Sequence, residues 1–331
     1  MMQPLSPRDL DPASLQGCRV AVLGFGAQGR AQALNLRDSG VQVTVGLRPA
    51  SPRRHECAGA GLEVCAPEKA AGHADICVML VPDEVQPTLY REVLAPALRP
   101  GAALLFAHGY NIHYGRIVPR TDLDVVMVAP LGIGEQVRRQ YELGRGVPAL
   151  LAVHQDASGL AAALAGGYAA ANGHARAAVF GTTFATETET DLFAEQAVLC
   201  GGLGQLILAA FETLTDAGYP EEVAYFCCLH EVKLIADLVQ SRGLAGMRRS
   251  ISSTAAFGDA TRGPRVIGAE SRRELRALLG EIRDGTFAAE LDAEMSAGAP
   301  TLAAWRAAAE AHPIQAVGAR VRALMPWLDG S

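Results

Sequence analysis

The chain has 331 residues, 50% of them hydrophobic and 19% charged, which is enough apolar material for a large core and enough length for two domains. A formal net charge of −6 provides no cationic footprint for nucleic acid. No run approaches the roughly 18 uninterrupted apolar residues of a membrane span, and the opening MMQPLSPRDLDPASLQG lacks the basic and apolar regions of a signal peptide.

A cytoplasmic location and no membrane partner are therefore expected. The seven cysteines (18, 57, 65, 77, 200, 227 and 228) include no CxxC pair, and buried thiols in a reducing compartment are the default expectation.

In chain order, CRVAVLG predicts a buried strand, AQGRAQALNLRDSG a helix ending at Gly40, and VQVTVGL a second strand. AAGHADICVMLVP, GAALLFAHG and DVVMVAP predict further strands, with a helix at VQPTLYREVLAPAL, and PALLAVHQ and ARAAVFGTTF as extensions of the sheet. Short β-rich runs spaced by helices specify βαβ units and a mainly parallel, doubly wound α/β sheet. Beyond about Thr183 the periodicity turns helical, with Gly and Pro breaks. The expected layout is a Rossmann domain over 1–182 and an all-α domain over 183–331.

Gly24, Gly26 and Gly29 follow the first strand at the spacing G-x-G-x-x-G. Gly24 permits the tight turn, Gly26 lets backbone approach a pyrophosphate, and Gly29 lets helix pack on strand. Gly24, Phe25, Gly26, Ala27, Gln28 and Gly29 are thus the candidate dinucleotide-binding turn, against the alternative of a glycine-rich turn with no ligand. The second strand ends at VGLRPASPRRH, with no acid before Glu56 to take a ribose 2′-OH. Arg48, Ser51 and Arg53, with Arg54 beside them, suit a 2′-phosphate. NADPH is expected in preference to NADH, a merely solvated basic loop being the alternative.

TETETDLFAEQ sets Glu187, Asp191 and Glu195 four apart on one helix face. Such oxygen ligands suit Mg²⁺; a solvated acidic helix fits the spacing equally well.

GFGAQGRAQALNLRDSG, AHGYNIHYG, GVPALLAVHQDASG, TETETDLFAEQAVLCGG, FETLTDAGY, LAGMRRSIS and GPRVI, in this order, resemble the short (class I) ketol-acid reductoisomerases from about Cys18 to Leu328. That resemblance implies an NADPH-binding Rossmann domain and a knotted helical domain. It also implies a homodimer, or a higher assembly, whose interlocked helical domains complete each other's sites. Members convert small 2-acetolactate-type acids to 2,3-dihydroxy acids, using two Mg²⁺ ions for an alkyl migration and then a hydride transfer. Carried onto this chain, the resemblance makes Asp191 the bridge between metals and Glu195 a ligand of one. Glu231 becomes a ligand of the second metal, reaching across from the partner protomer. His108, Glu187 and Ser252 become the catalytic groups: His108 near the cofactor and metal waters, Glu187 on the substrate or a metal-bound water, Ser252 on the substrate carboxylate. His113 is read as structural.

Two departures qualify this. Where the family has APKGPGH the chain has APLGIGE, with Leu131 for the lysine and Ile133 and Glu135 nearby; Cys227 stands where the family has a metal-ligand Glu. Leucine cannot donate a proton, and a thiol is a poor ligand for Mg²⁺. One metal site is expected to persist and the second is in doubt. Losing both charges together avoids an unpaired buried charge. Alkyl migration needs paired cations, whereas hydride transfer to C=O or C=N asks mainly for cofactor geometry and an electrophile. The expectation is a reductase of 2-keto acids or related carbonyls or imines, with isomerisation weakened or lost. A working reductoisomerase and a non-catalytic ligand-binding homologue are the alternatives.

Overall fold

A computed structural model describes residues 2–327; Leu328, where the resemblance ends, and the rest of the expected helical domain lie outside the described residues. The chain divides into two units, the first ending at Thr190 and the second starting at Asp191.

The first unit runs β1 (Arg19–Leu23), α1 (Ala27–Asp38), β2 (Gln42–Gly46), α2 (Arg53–Gly59), β3 (Glu63–Cys65), α3 (Pro67–His73) and β4 (Ile76–Met79). It continues through α4 (Gln86–Leu89), α5 (Ala95–Ala97), β5 (Ala103–Phe106), α6 (Tyr110–His113), β6 (Asp124–Pro130), α7 (Gly134–Glu142), β7 (Ala149–Gln155), α8 (Ala161–Ala171) and β8 (Val179–Gly181). The strands form one eight-stranded sheet in the order β3-β2-β1-β4-β5-β6-β7-β8. Every pairing is parallel except β6 with β7. That reversal, which the sequence reading did not specify, follows from the short α7 link returning the chain beside the strand it left.

Alternation along β1 explains why helices cover both faces. Val20 and Val22 enter one core with Leu36, Val45 and Tyr168; Ala21 and Leu23 enter the other with Met79, Leu104 and Phe106. β4 and β5 are buried along their whole length, as a parallel sheet clothed on both sides requires. Strand order reverses direction between β1 and β4, so the crevice beyond their carboxyl ends is the topological switch point where such folds bind ligands.

Helix α9 (Phe184–Ala194) leads out of the first unit. It is followed by a π-helical turn at Glu195–Leu199, then α10 (Gly201–Asp216), α11 (Glu221–Tyr225), a second π turn at Phe226–His230, and α12 (Glu231–Ser250). The remaining helices are α13 (Ser253–Val266), α14 (Ala269–Arg283), α15 (Thr286–Ser296), α16 (Pro300–Ala311) and α17 (Pro313–Ala323).

The second unit's own core is small, centred on Phe211, Ala224, Tyr225, Ile314, Val317 and Val321. Leu199, Leu206, Leu244, Phe257 and Trp305 are exposed. The helical run Phe184–Asp216 has a mean hydropathy of 1.6 in its most apolar window, of which 6% is buried. By length and composition alone this run would suffice to cross a membrane, a property that counting uninterrupted apolar residues overlooked.

The cysteine expectation needs correction. Cys57 and Cys77 are buried, and burial pushes their thiols up to about 11 and about 12. Cys200 and Cys227 are exposed.

Candidate functional site

The glycine turn sits at the switch point. Gly24 has φ +100°, and a Cβ there would lie 2.6 Å from the Leu80 carbonyl oxygen just beyond β4, so both its conformation and its space demand glycine. A Cβ on Gly29 would overlap the Gly24 carbonyl, which is what close helix–strand packing requires. Among the described residues nothing lies within 4 Å of a Cβ on Gly26. Gly26 is the N-cap of α1 and no side chain caps that helix among the described residues, so its first N–H groups lack a side-chain partner, an arrangement suited to phosphate. The Phe25 side chain is buried in the core, leaving only its backbone for the turn's surface. The side chain of Gln28 reaches away from the turn, donating to the Gly132 carbonyl at 2.9 Å.

The three arginines of this loop divide, while Ser51 between them is half-buried. Arg54 donates to the Leu47 carbonyl at 2.8 Å and the Cys65 carbonyl at 3.3 Å, tying the ends of β2 and β3. Arg53 donates to the Phe25 carbonyl at 2.5 Å, which brings its guanidinium beside the glycine turn. Arg48 is exposed just past β2, and among the described residues no acid pairs with it. Glu56, the first acid after β2, pairs with Arg30 at 3.1 Å and so is turned toward α1.

The chemistry-bearing group forms where the loop after β5 meets α9. Glu187 is 3% exposed. Its Oε1 lies 2.9 Å from His108 Nδ1, and its Oε2 accepts from the Gly109 N–H at 2.8 Å. A Cβ on Gly109 would overlap Thr188 Oγ1 and stand 2.9 Å from the Phe184 carbonyl oxygen, so glycine is what lets α9 seat its first turn. Phe184 anchors that turn, edge-on to Phe106 at 6.3 Å and to His154 at 5.6 Å. One turn beyond Glu187 on the same helix comes Asp191, and ligand atoms of His108, Glu187 and Asp191 all lie within 4.8 Å of one another. His113 Nε2 is 3.7 Å from Glu189 Oε1. Tyr110 stacks on His108 at 6.3 Å, with the Arg116 guanidinium 6.0 Å from the Tyr110 ring.

Of the residues nominated from sequence, the structure thus gathers His108, Glu187 and Asp191. Glu195 is exposed at the start of the π turn that follows α9 and is not a member of that group. Glu231 is exposed at the start of α12. Ser252 caps α13, its Oγ accepting from the Ala255 N–H at 3.2 Å. Gly109, Thr188, Tyr110 and Arg116 were missed. AHGYNIHYG carried Gly109 and Tyr110, but only the histidines were weighed there.

Leu131 is 53% exposed and Ile133 66% exposed, and Cys227 is exposed. These are exposures within a single chain, in which the buried-charge cost expected to couple Leu131 and Cys227 has no source.

Residues 14–178 match the family model described as acetohydroxy acid isomeroreductase, NADPH-binding domain. Residues 184–327 match that described as ketol-acid reductoisomerase, C-terminal domain. Among solved structures, an NADH-preferring ketol-acid reductoisomerase from an uncultured archaeon is 42% identical with a TM-score of 0.95, the match covering 98% of this chain and 99% of that one. A putative oxidoreductase from Jannaschia sp. CCS1 is 16% identical, TM-score 0.61, over 80% of this chain and 97% of that one. A semialdehyde dehydrogenase NAD-binding protein from Cupriavidus necator is 19% identical, TM-score 0.61, over 81% and 99%. The last two share the fold.

Proposed function

Since the chain belongs to the ketol-acid reductoisomerase family, we propose that it is an NADPH-dependent oxidoreductase reducing a 2-keto acid or a related carbonyl or imine with Mg²⁺ assistance, its isomerising step weakened or lost. The observation that carries this reading is the His108–Glu187–Asp191 group standing in a chain whose loop after β6 presents exposed Leu131. The chain's two lysines lie elsewhere: Lys69 on α3, and Lys233 on α12 paired with Asp237.

Two carboxylates with an imidazole, all within 4.8 Å, form an oxygen-rich set that suits a Mg²⁺ keeping several waters. Asp191 and Glu187 would hold it, with Glu195 one turn along. His108 suits a contact through water, because imidazole is the softer ligand. Glu231 is the proposed ligand of a second ion shared with a partner protomer, where Cys227 is a poor donor. When bound, Mg²⁺ supplies carbonyl polarisation and the dinucleotide supplies hydride. The protein's own part is positional. Glu187 fixes the His108 ring, the α1 N-terminus receives the pyrophosphate, and Ser252 offers a hydroxyl to the substrate carboxylate beside its capping role. Arg48, Ser51 and Arg53 support a 2′-phosphate and hence NADPH. The second unit's exposed apolar helices support a homodimer; interlocked, knotted helical domains and a cytoplasmic location belong to the same proposal and rest on the family alone.

A second reading, a working reductoisomerase, is favoured by the 42% identity to the archaeal enzyme over nearly the whole chain. That neighbour's NADH preference is the reason to measure both dinucleotides here. Following NADPH oxidation separates the readings. Turnover of a 3-hydroxy-2-keto acid without turnover of 2-acetolactate supports reduction alone. Turnover of both supports the second reading. Turnover of neither, across a panel of carbonyls and imines, removes both.

A further inference from the structure

Three uncharged polar side chains run in single file from the core to the glycine turn. Tyr168 on α8 is fully buried and donates its hydroxyl proton to Gln32 Oε1 at 2.6 Å. Gln32, also fully buried, donates through Nε2 to Gln28 Oε1 at 3.0 Å. Gln28 then donates through Nε2 to the Gly132 carbonyl at 2.9 Å. Every link points the same way, so each bond polarises the next. At the receiving end the loop is already pressed on the turn. A Cβ on Gly134 would overlap the Ala27 carbonyl and lie 2.7 Å from the Gln28 nitrogen. Further along, α1 and α7 are tied again, with Arg138 donating to Asn35 Oδ1 at 2.9 Å and Ser39 Oγ 2.7 Å from Tyr141 Oη.

Stability alone does not call for this arrangement. Apolar side chains of similar volume would fill the same space without the need to satisfy five side-chain polar atoms. What a directional file adds is a fixed geometry between two backbone segments, because only one register satisfies every donor and acceptor. We infer that Tyr168, Gln32 and Gln28 are positioning residues that hold the loop 131–134 in register with the dinucleotide-binding turn. The phenol of Tyr168, lodged in the core and touching no ligand, then sets the affinity of the turn at a distance. This rests on the reading that the glycine turn takes a dinucleotide.

Tyr168→Phe removes one oxygen and leaves Gln32 Oε1 without its donor. Leu164→Ala on the same helix α8 is the control, because Leu164 packs on the same core and has no part in the file. Two readouts are taken on the full-length protein well below its melting temperature. The first needs no ligand: amide hydrogen exchange at 131–135 accelerates in Tyr168→Phe and stays at the parent rate in Leu164→Ala. The second is the Kd for NADPH, and for NADH, by fluorescence titration. It weakens roughly three- to thirtyfold in Tyr168→Phe, and Gln28→Leu combined with Tyr168→Phe weakens it no further than Gln28→Leu alone. Unchanged exchange in Tyr168→Phe, equal acceleration in Leu164→Ala, or additive losses in Kd overturn the inference. If exchange responds as stated but the parent binds neither dinucleotide, the cofactor reading fails and the positioning of the loop stands.

Discussion

Replacing Glu187 by Gln tests whether the His108–Glu187–Asp191 cluster, of which only Glu187 is fully buried, is built for a cation. The side chain keeps its shape and both its hydrogen bonds. The amide oxygen takes the Gly109 N–H, and the amide nitrogen donates to His108 Nδ1, moving the imidazole proton to Nε2. The cost of trading charge-assisted bonds for neutral ones is about 1 kcal/mol. Against it stands relief of repulsion between Glu187 and Asp191. Their ligand atoms lie within 4.8 Å, and two unit charges at that distance repel by about 3.5 kcal/mol at an effective dielectric of 20. The two effects have opposite signs and the relief of repulsion is the larger, so Glu187→Gln without metal should melt no lower than the parent and up to several degrees above it. Added Mg²⁺ reverses the order. A ligand at 100 times its Kd stabilises by about 2.7 kcal/mol, which for a unit of this size raises Tm by roughly 5 to 10 °C. The variant, with one charge removed, should gain less than half of that. Differential scanning fluorimetry in EDTA and in millimolar Mg²⁺ reads both numbers. A variant that loses many degrees in EDTA yet gains the parent's full increment from Mg²⁺ would refute the reasoning.

Other perturbations follow from the same geometry. Gly109→Ala keeps an allowed backbone, since φ is −83°, but its methyl meets Thr188, the Phe184 carbonyl and Glu187; the first turn of α9 must move, at about 1–3 kcal/mol by urea unfolding. A cost near zero would mean that α9 does not seat there. Arg48→Glu should leave Tm within about 1 °C, as expected of an exposed unpaired side chain, while the NADPH-to-NADH ratio of kcat/KM falls at least tenfold; an unchanged ratio removes Arg48 from the cofactor. Burial holds the His174 imidazole below its ordinary 6.5, opposed by its bond to the Val147 carbonyl. The unfolded chain therefore takes up this proton first, and stability is full above pH 6.5 and declines below it, by at most about 1.4 kcal/mol per pH unit. His174→Asn, which retains a donor toward Val147 without titrating, should flatten that decline between pH 7 and 5.5; parallel curves would exclude His174 as its source.

Much of this was legible in the chain because the signals are local. A glycine triplet between a buried strand and a helix states its own geometry, and carboxylates four apart announce a helix face. What was hidden depends on distant partners. Glu187 gains its meaning from His108 and Gly109, about eighty positions earlier, and no spacing rule links them. Arg53 and Arg54 are neighbours of one residue type, yet one reaches the glycine turn and the other clamps two strand ends. Composition could not divide those roles. Glu195 was placed with Glu187 and Asp191 by α-helical periodicity, but the helix widens into a π turn at that residue. The exposure of Leu131 and Cys227 within one chain was not legible either, because a family pattern names residue types, not solvent contact.

As proposed, the site retains its hydride-transfer machinery while lacking the ammonium that would aid carbon migration. The most direct measurement of this is the kcat/KM of one preparation, with NADPH and Mg²⁺, for a 3-hydroxy-2-keto acid and for 2-acetolactate. A ratio of at least about a hundred is expected, equivalent to roughly 2.7 kcal/mol at the migration step, and a smaller ratio in Leu131→Lys. Comparable values for the two substrates in the parent would contradict the proposal.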